Sequence, residues 1–276
     1  MPKVYLVLLT FGPVKIILKY RQLALILGFG LFTLAGCDWM GNSKGESEIK
    51  PVEFETKEVI HKIGQDCIDE LSCFDLKLSF PELNKVDTPI SKIIQDTIDH
   101  LILTPIFEDK VYQNQDELYA DIEQAYNEFK LDFPEVESNW FLNRDIKIIA
   151  QRDGIITLSF YESSYLGGAH ANEMTFYKHY NGTNGKVVLL ENFFTTSQRT
   201  QLNKLGEQAF RSKRGIEPGT SLEESGFWFK EDQFKLNDNF YFDNTGIYFY
   251  FNAYEIAPYS YGSTEIFIPK EAYESI

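Results

Sequence analysis

The chain has 276 residues, 43 % of them hydrophobic and 15 % aromatic, enough to bury one large core or two modest ones. Its 26 basic residues face 41 acidic ones, a formal charge of −15 that would repel phosphate polyanions and argues against a nucleic-acid partner. The four histidines stand apart at 61, 100, 170 and 179, and no His and Cys set has the spacing of a zinc site, so neither a metal nor another cofactor is expected.

The N-terminus reads as a secretory leader. Lys15, Lys19 and Arg21 precede an apolar run from Leu23 to Leu34, and Leu34-Ala35-Gly36-Cys37 closes it as a lipobox. The likeness to bacterial lipoproteins implies cleavage after Gly36 and lipidation of Cys37 by diacylglycerol, with acylation such as palmitate on the new amine. The run is short of the roughly 20 residues that span hydrocarbon, which disfavours the alternative of a transmembrane anchor. A second apolar piece, Val4 to Leu18, makes the leader long and suggests a true start downstream of Met1. Loss of residues 1–36 removes four basic residues and no acidic one, leaving 22 against 41 and a formal charge of −19.

From Asp38 to Pro51 the composition is that of a flexible tether, roughly 20 Å in mean reach, so residues 37–53 form a lipidated linker. With Cys37 modified, Cys67 and Cys73 are the remaining pair in an oxidising compartment, and a disulfide between them is expected. Val52 to His61 and Leu76 to Phe80 alternate as strands, the second ending at Pro81. Thr88-Pro89 opens a helix whose isoleucines 90, 93, 94 and 98 recur at three and four residues, and Asp116 to Leu131 forms another. Asp145 to Ala150 and Ile155 to Tyr161 flank Arg152-Asp153-Gly154 as a hairpin. A long glycine-bearing loop leads to the strand Glu173 to Tyr180, then Val187 to Leu190, then a helix from Ser197 to Lys213 stopped at Gly215. Phe240-Tyr241-Phe242 and Ile247 to Phe251 form the clearest hairpin, Tyr254 to Tyr261 crosses over, and Glu265 to Ile268 is the last strand. The expected fold is α+β, two neighbouring units, each an antiparallel sheet with helices on one face.

Several landmarks resemble the RsiV-like family: Tyr161 to His179 with its Gly167-Gly168-Ala169-His170 turn, Asn184 to Leu190 with Phe193-Phe194, and Phe242 to Ile268 with Tyr254 to Tyr259 and Gly262. The segment before them, from about Phe54, is similar to the PdaC-type domain. The resemblance implies a PdaC-type unit over 54–162 and an RsiV-like unit of unknown function over 163–276. It also implies an extracytoplasmic binding role, with a lysozyme-like hydrolase or peptidoglycan as partner. The chain lacks the separate deacetylase domain and the sigma-binding segment found elsewhere in these families, so no catalytic residue is assigned.

His170 stands after two glycines in a loop, where backbone can approach a ligand, although hydrogen bonding to the turn is the alternative use of such an imidazole. With Tyr165, Gly167, Gly168, Tyr254 and Tyr259 it makes up the candidate ligand-contact set. The tyrosines 248, 250, 254, 259 and 261 either present a surface for sugar or protein contact or alternate between core and surface of a sheet. Glu223, Glu224, Glu231 and Asp232 flank Phe227-Trp228-Phe229, a pattern suited to a basic protein with an apolar anchor point. The expectation is a non-enzymatic lipid-anchored module of the bacterial envelope, on its periplasmic or other extracytoplasmic face, with an envelope enzyme acting on peptidoglycan as the alternative.

Overall fold

The computed structural model describes residues 51–63, 73–105, 110–136 and 139–276. The leader, Cys37, the tether as far as Lys50, and Cys67 lie outside the described residues. The described residues belong to one compact unit, Ile49–Ile276.

In chain order the elements are β1 (Phe54–Ile63), β2 (Phe74–Leu83), α1 (Pro89–Ile102), α2 (Gln115–Asp132), β3 (Trp140–Arg152), β4 (Ile155–Tyr165), β5 (Asn172–Asn181), β6 (Val187–Val188), α3 (Leu190–Phe193), α4 (Thr196–Arg214), β7 (Phe240–Phe242), β8 (Gly246–Phe251), β9 (Thr264–Pro269) and α5 (Lys270–Glu274). They build a six-stranded sheet in the order β1-β2-β3-β4-β5-β6 and a three-stranded sheet β7-β8-β9, in an α+β fold.

The first sheet is antiparallel except between β2 and β3, which run parallel because α1 and α2 form the crossover joining them. Thr88 caps α1 through its hydroxyl, which accepts from Ser91 N, and Pro89 takes the first helical turn. The apolar stripe Ile94, Ile98, Leu101 and Ile102 then meets Leu118, Ile122 and Tyr126 of α2 over Leu76, Leu78, Leu142, Ile146, Leu158 and Phe160 of the sheet. Pro81 does not end β2, as the sequence suggested: the strand runs on to Leu83, pairing Pro81 with Thr56 of β1. Pairing with β3 has already stopped at Ser79 and Asp145, so that side of the strand needs no N–H from the proline.

One charge is buried in this core. Arg144 on β3 is 2 % exposed; its Nε donates to Glu162 at 2.7 Å, and its two terminal nitrogens donate to the carbonyls of Ile102 and Thr104, each at 2.6 Å. The guanidinium thereby caps the C-terminal end of α1, where the helix dipole favours a cation.

At Asp153 and Gly154 both φ angles are positive, 51° and 74°, as a two-residue hairpin turn between β3 and β4 requires. The six-stranded sheet continues through β5 to β6, and Leu190 begins the short helix α3 instead of prolonging the strand. The second core is aromatic. Phe210 of α4 sits edge-on to Phe227 and Phe229, at 4.9 and 5.3 Å between ring centres, above Phe240, Phe249 and Phe251 of the three-stranded sheet.

The two sheets are stitched along β5. Its outer backbone edge is paired by side-chain amides standing in for a strand. Asn252 Oδ1 accepts from Thr175 N at 2.7 Å and Asn239 Oδ1 from Tyr177 N at 2.9 Å. Both asparagines donate to the Thr175 carbonyl, at 2.8 and 2.9 Å. His179, 3 % exposed, completes the seam on the face of β5 opposite Phe176 and Tyr180.

Candidate functional site

His170, just before β5, and His179, within it, have opposite surroundings. Nε2 of His179 lies 2.8 Å from the Phe240 carbonyl, which can only accept, so this nitrogen carries the proton. Nδ1 then accepts from the Thr157 hydroxyl at 3.0 Å, and the ring stacks on Phe240 at 4.4 Å. Burial holds its pKa below the ordinary histidine value, partly offset by the bond to Phe240. A neutral imidazole with both nitrogens used inside a buried seam ties β4 and β5 to β7.

His170 lies in the loop between β4 and β5. Its ring stacks on Tyr259, 3.6 Å between centres and 12° between planes. Nδ1 donates to the Ala171 carbonyl at 2.9 Å, and Nε2 accepts from the Tyr254 hydroxyl at 3.3 Å. The same carbonyl accepts from the Tyr259 hydroxyl at 2.8 Å. Three members of the candidate set, separated by more than eighty residues of chain, thus form one cluster. Tyr254 is 53 % exposed and held at φ 65°, a conformation that a residue with a side chain adopts only at a cost.

The other candidates go elsewhere. Tyr165 tilts against Phe141, 6.4 Å away. Gly167, at φ 79°, passes over the indole of Trp140, where a Cβ would come within 2.9 Å of the ring, so its lack of a side chain serves packing. Gly168 has open space around it, the nearest atom to a Cβ being the His170 carbonyl at 4.0 Å. Ser163 accepts from Asn143 Nδ2 at 3.4 Å, and Glu173 accepts from Tyr161 at 3.4 Å. Among the described residues, no serine, cysteine or carboxylate is hydrogen-bonded to His170, and no three His, Cys, Asp or Glu side chains group as a metal-binding set.

The tyrosines divide in the same way. Tyr248 belongs to a row of rings, Tyr177, Tyr241, Tyr248 and Phe267, with successive centres 4.6, 4.6 and 4.7 Å apart. Tyr241 and Tyr248 are stacked, 4° between planes, and Tyr177 and Phe267 tilt against them at 41° and 36°, so the two central rings are covered for stacking by a sugar. Burial, with Glu265 and Tyr250 nearby, pushes the Tyr177 phenol up to about 12. Tyr261 instead packs edge-on to Phe227 at 5.3 Å.

Sequence reasoning did not find the seam. Asn239, Asn252 and His179 look like turn and strand residues in one dimension, and nothing local shows that they meet Thr175, Tyr177 and Phe240 across sixty or more positions.

With this geometry in view, the likenesses to known proteins fall into place. Residues 68–173 match the family described as "Deacetylase PdaC", and residues 191–271 match the family described as "Protein of unknown function (DUF3298)". The two-part resemblance read from the sequence therefore holds. A crystal structure of a DUF3298 family member from Bacteroides fragilis superimposes with a TM-score of 0.63 at 20 % identity, covering 83 % of this chain and 95 % of that one. A DUF3298 family protein from Pseudomonas aeruginosa gives 0.54 at 18 % identity with the same coverages. At such identities the likeness concerns the fold. No curated protein matches the chain.

Proposed function

We propose that this chain, which joins a PdaC-type segment to a DUF3298 segment, is a non-enzymatic binding module held in the bacterial envelope by lipid on Cys37. Its ligand is a cationic cell-wall hydrolase of the lysozyme type. The observation that carries this reading is the engagement of His170: both ring nitrogens are occupied by a carbonyl and a phenol, and one ring face is covered by Tyr259. Such a ring is held for contact and, among the described residues, has no nucleophile or carboxylate bonded to it to relay a proton to. A cell-wall glycan is the second ligand class, favoured by the exposed ring of Tyr254, which stands outside the row of Tyr177, Tyr241, Tyr248 and Phe267.

Attachment fits the same picture. The backbone of Val52 is clamped by Gln151, whose amide accepts from Val52 N at 2.7 Å and donates to its carbonyl at 2.9 Å. Gln151 is at the turn where β4 begins, and the His170 loop follows the end of that strand, 11 residues on. At about 3.3 Å per residue the two ends are roughly 35 Å apart, so a chain anchored upstream of Val52 joins the fold at the end remote from His170. The expected Cys67–Cys73 disulfide belongs to the proposal as well; Cys73 is buried at the start of β2. Its test is a mass shift of the peptide holding both cysteines on reduction.

The binding reading is tested by retention of the protein, prepared from residue 38 onward, on immobilised lysozyme at low and high salt. Salt-sensitive retention is expected. No retention at either salt, together with muropeptide turnover that disappears in His170→Ala, would replace this reading with an envelope enzyme acting on peptidoglycan.

A further inference from the structure

Trp228 is presented to solvent by a loop that has been made rigid for the purpose. In Phe227-Trp228-Phe229 the outer two rings point inward. Phe227 is 2 % exposed, and both pack edge-on to Phe210 in the second core. Trp228 between them is 54 % exposed. Its backbone cannot swing, because its N–H donates to the Ile256 carbonyl at 2.7 Å, and Phe227 N donates to Leu222 O at 2.8 Å. The turn before it is fastened to the turn after it by Asp232, whose carboxylate accepts from Glu223 N at 2.7 Å. That fastening keeps the Asp232 carboxyl below its usual range.

This rigidity has a backbone cost. Glu231 and Asp232 both lie at positive φ, 56° and 58°, without a glycine between them. An indole left in water on a loop held in a costly conformation is the arrangement expected of a binding anchor: ordering has been completed before the partner arrives, and the apolar area is still unburied.

The charges around the ring select the partner. Glu223, Glu224 and Glu231, all exposed, lie within five residues of it in the chain, and Lys230 sits 3.8 Å from Glu231, while the nearby Arg211 and Arg214 are turned to the carbonyls of Thr220, Tyr261 and Ser263. This surround repels anionic lipid headgroups and anionic polymers and complements a basic protein surface. Ile256, which holds the Trp228 N–H, is two residues from Tyr254, so the anchor adjoins the His170 cluster along the chain.

We infer that Trp228, with exposed Glu223, Glu224 and Glu231 on the same stretch of chain, is the docking point for a basic protein, inserting its indole into an apolar recess flanked by Lys or Arg. The inference rests on the binding reading above and assigns it a place. The test uses Trp228→Ala and the triple variant Glu223→Gln, Glu224→Gln, Glu231→Gln, each checked for an unchanged melting temperature. Both are measured against lysozyme and against a deca-lysine peptide, by affinity and by indole emission. Trp228→Ala is expected to weaken lysozyme binding at least about tenfold, and the triple variant to slow association and flatten its salt dependence.

Equal lysozyme affinity in wild type and Trp228→Ala would overturn the docking point and leave the binding reading standing. If lysozyme does not bind but the peptide shifts Trp228 emission in wild type and not in the triple variant, the docking point stands and the lysozyme ligand falls. Silence of Trp228 toward both probes overturns the inference.

Discussion

The seam along β5 and the rim around His170 each hold a histidine and use it for opposite ends. At the seam, His179, Thr157, Asn239 and Asn252 have their polar groups matched at 2.7 to 3.0 Å within a buried or half-buried interface. At the rim, His170 and Tyr259 are partly buried and Tyr254 is 53 % exposed at positive φ, and on the Trp228 loop the indole is 54 % exposed beside Glu231 and Asp232, both also at positive φ. One set contributes stability and the other gives some of it up. The difference follows from access to water: a buried donor or acceptor must find its partner inside the fold, whereas an exposed ring keeps its binding surface unburied until a ligand covers it.

Breaking the seam should have the largest effect on folding. Removing both amides, Asn239→Ala with Asn252→Ala, leaves the outer edge of Thr175 and Tyr177 without partners. It should cost about 4 kcal/mol in urea unfolding, at roughly 1 to 3 kcal/mol per unsatisfied group with partial rescue by water. Loss below 1 kcal/mol would mean that apolar packing and the His179–Phe240 bond hold the two sheets without the amides.

His179 sharpens the comparison through pH. Its folded pKa is depressed, so its contribution is fully present above the unfolded value of about 6.5 and is lost as pH falls below it, where the unfolded chain takes up a proton that the folded seam refuses. Melting temperatures of wild type and His179→Gln should therefore converge between pH 7.5 and pH 5. Parallel curves would show that the buried ring is protonated as readily as a free one.

At the rim the expected sign reverses. Glu231→Gly relieves a positive φ, and an increase in stability of up to about 1 kcal/mol should accompany weaker lysozyme retention. The smallest effect should come from His170→Ala, below about 1 kcal/mol by thermal denaturation, because its two bonds can be replaced by water. A larger loss would move His170 into the structural class of His179.

Much of the framework could be read in one dimension. The cap at Thr88, the isoleucine stripe of α1, the stop at Gly215, the Asp153-Gly154 turn and the β7–β8 hairpin each depend on residues within a few positions of one another, and each is present. Pro81 misled because a proline is tolerated wherever one side of a strand lacks a partner, and that depends on where β3 stops. Of the candidate site, His170, Tyr254 and Tyr259 share a cluster, while Tyr165, Gly167 and Gly168 serve their own neighbourhoods.

What the sequence determined by itself, then, was local: element positions, the acidic residues that flank Phe227-Trp228-Phe229, and the family likeness of both segments. Only the tertiary structure decided which of two histidines nine residues apart would be sealed in a seam and which would reach the surface, and that a row of tyrosines would turn their faces to one another. Both histidine environments, and the entry of Tyr177 into the row, depend on contacts closed across sixty to ninety residues, and side chains at such separations have no register until the sheets that carry them have packed.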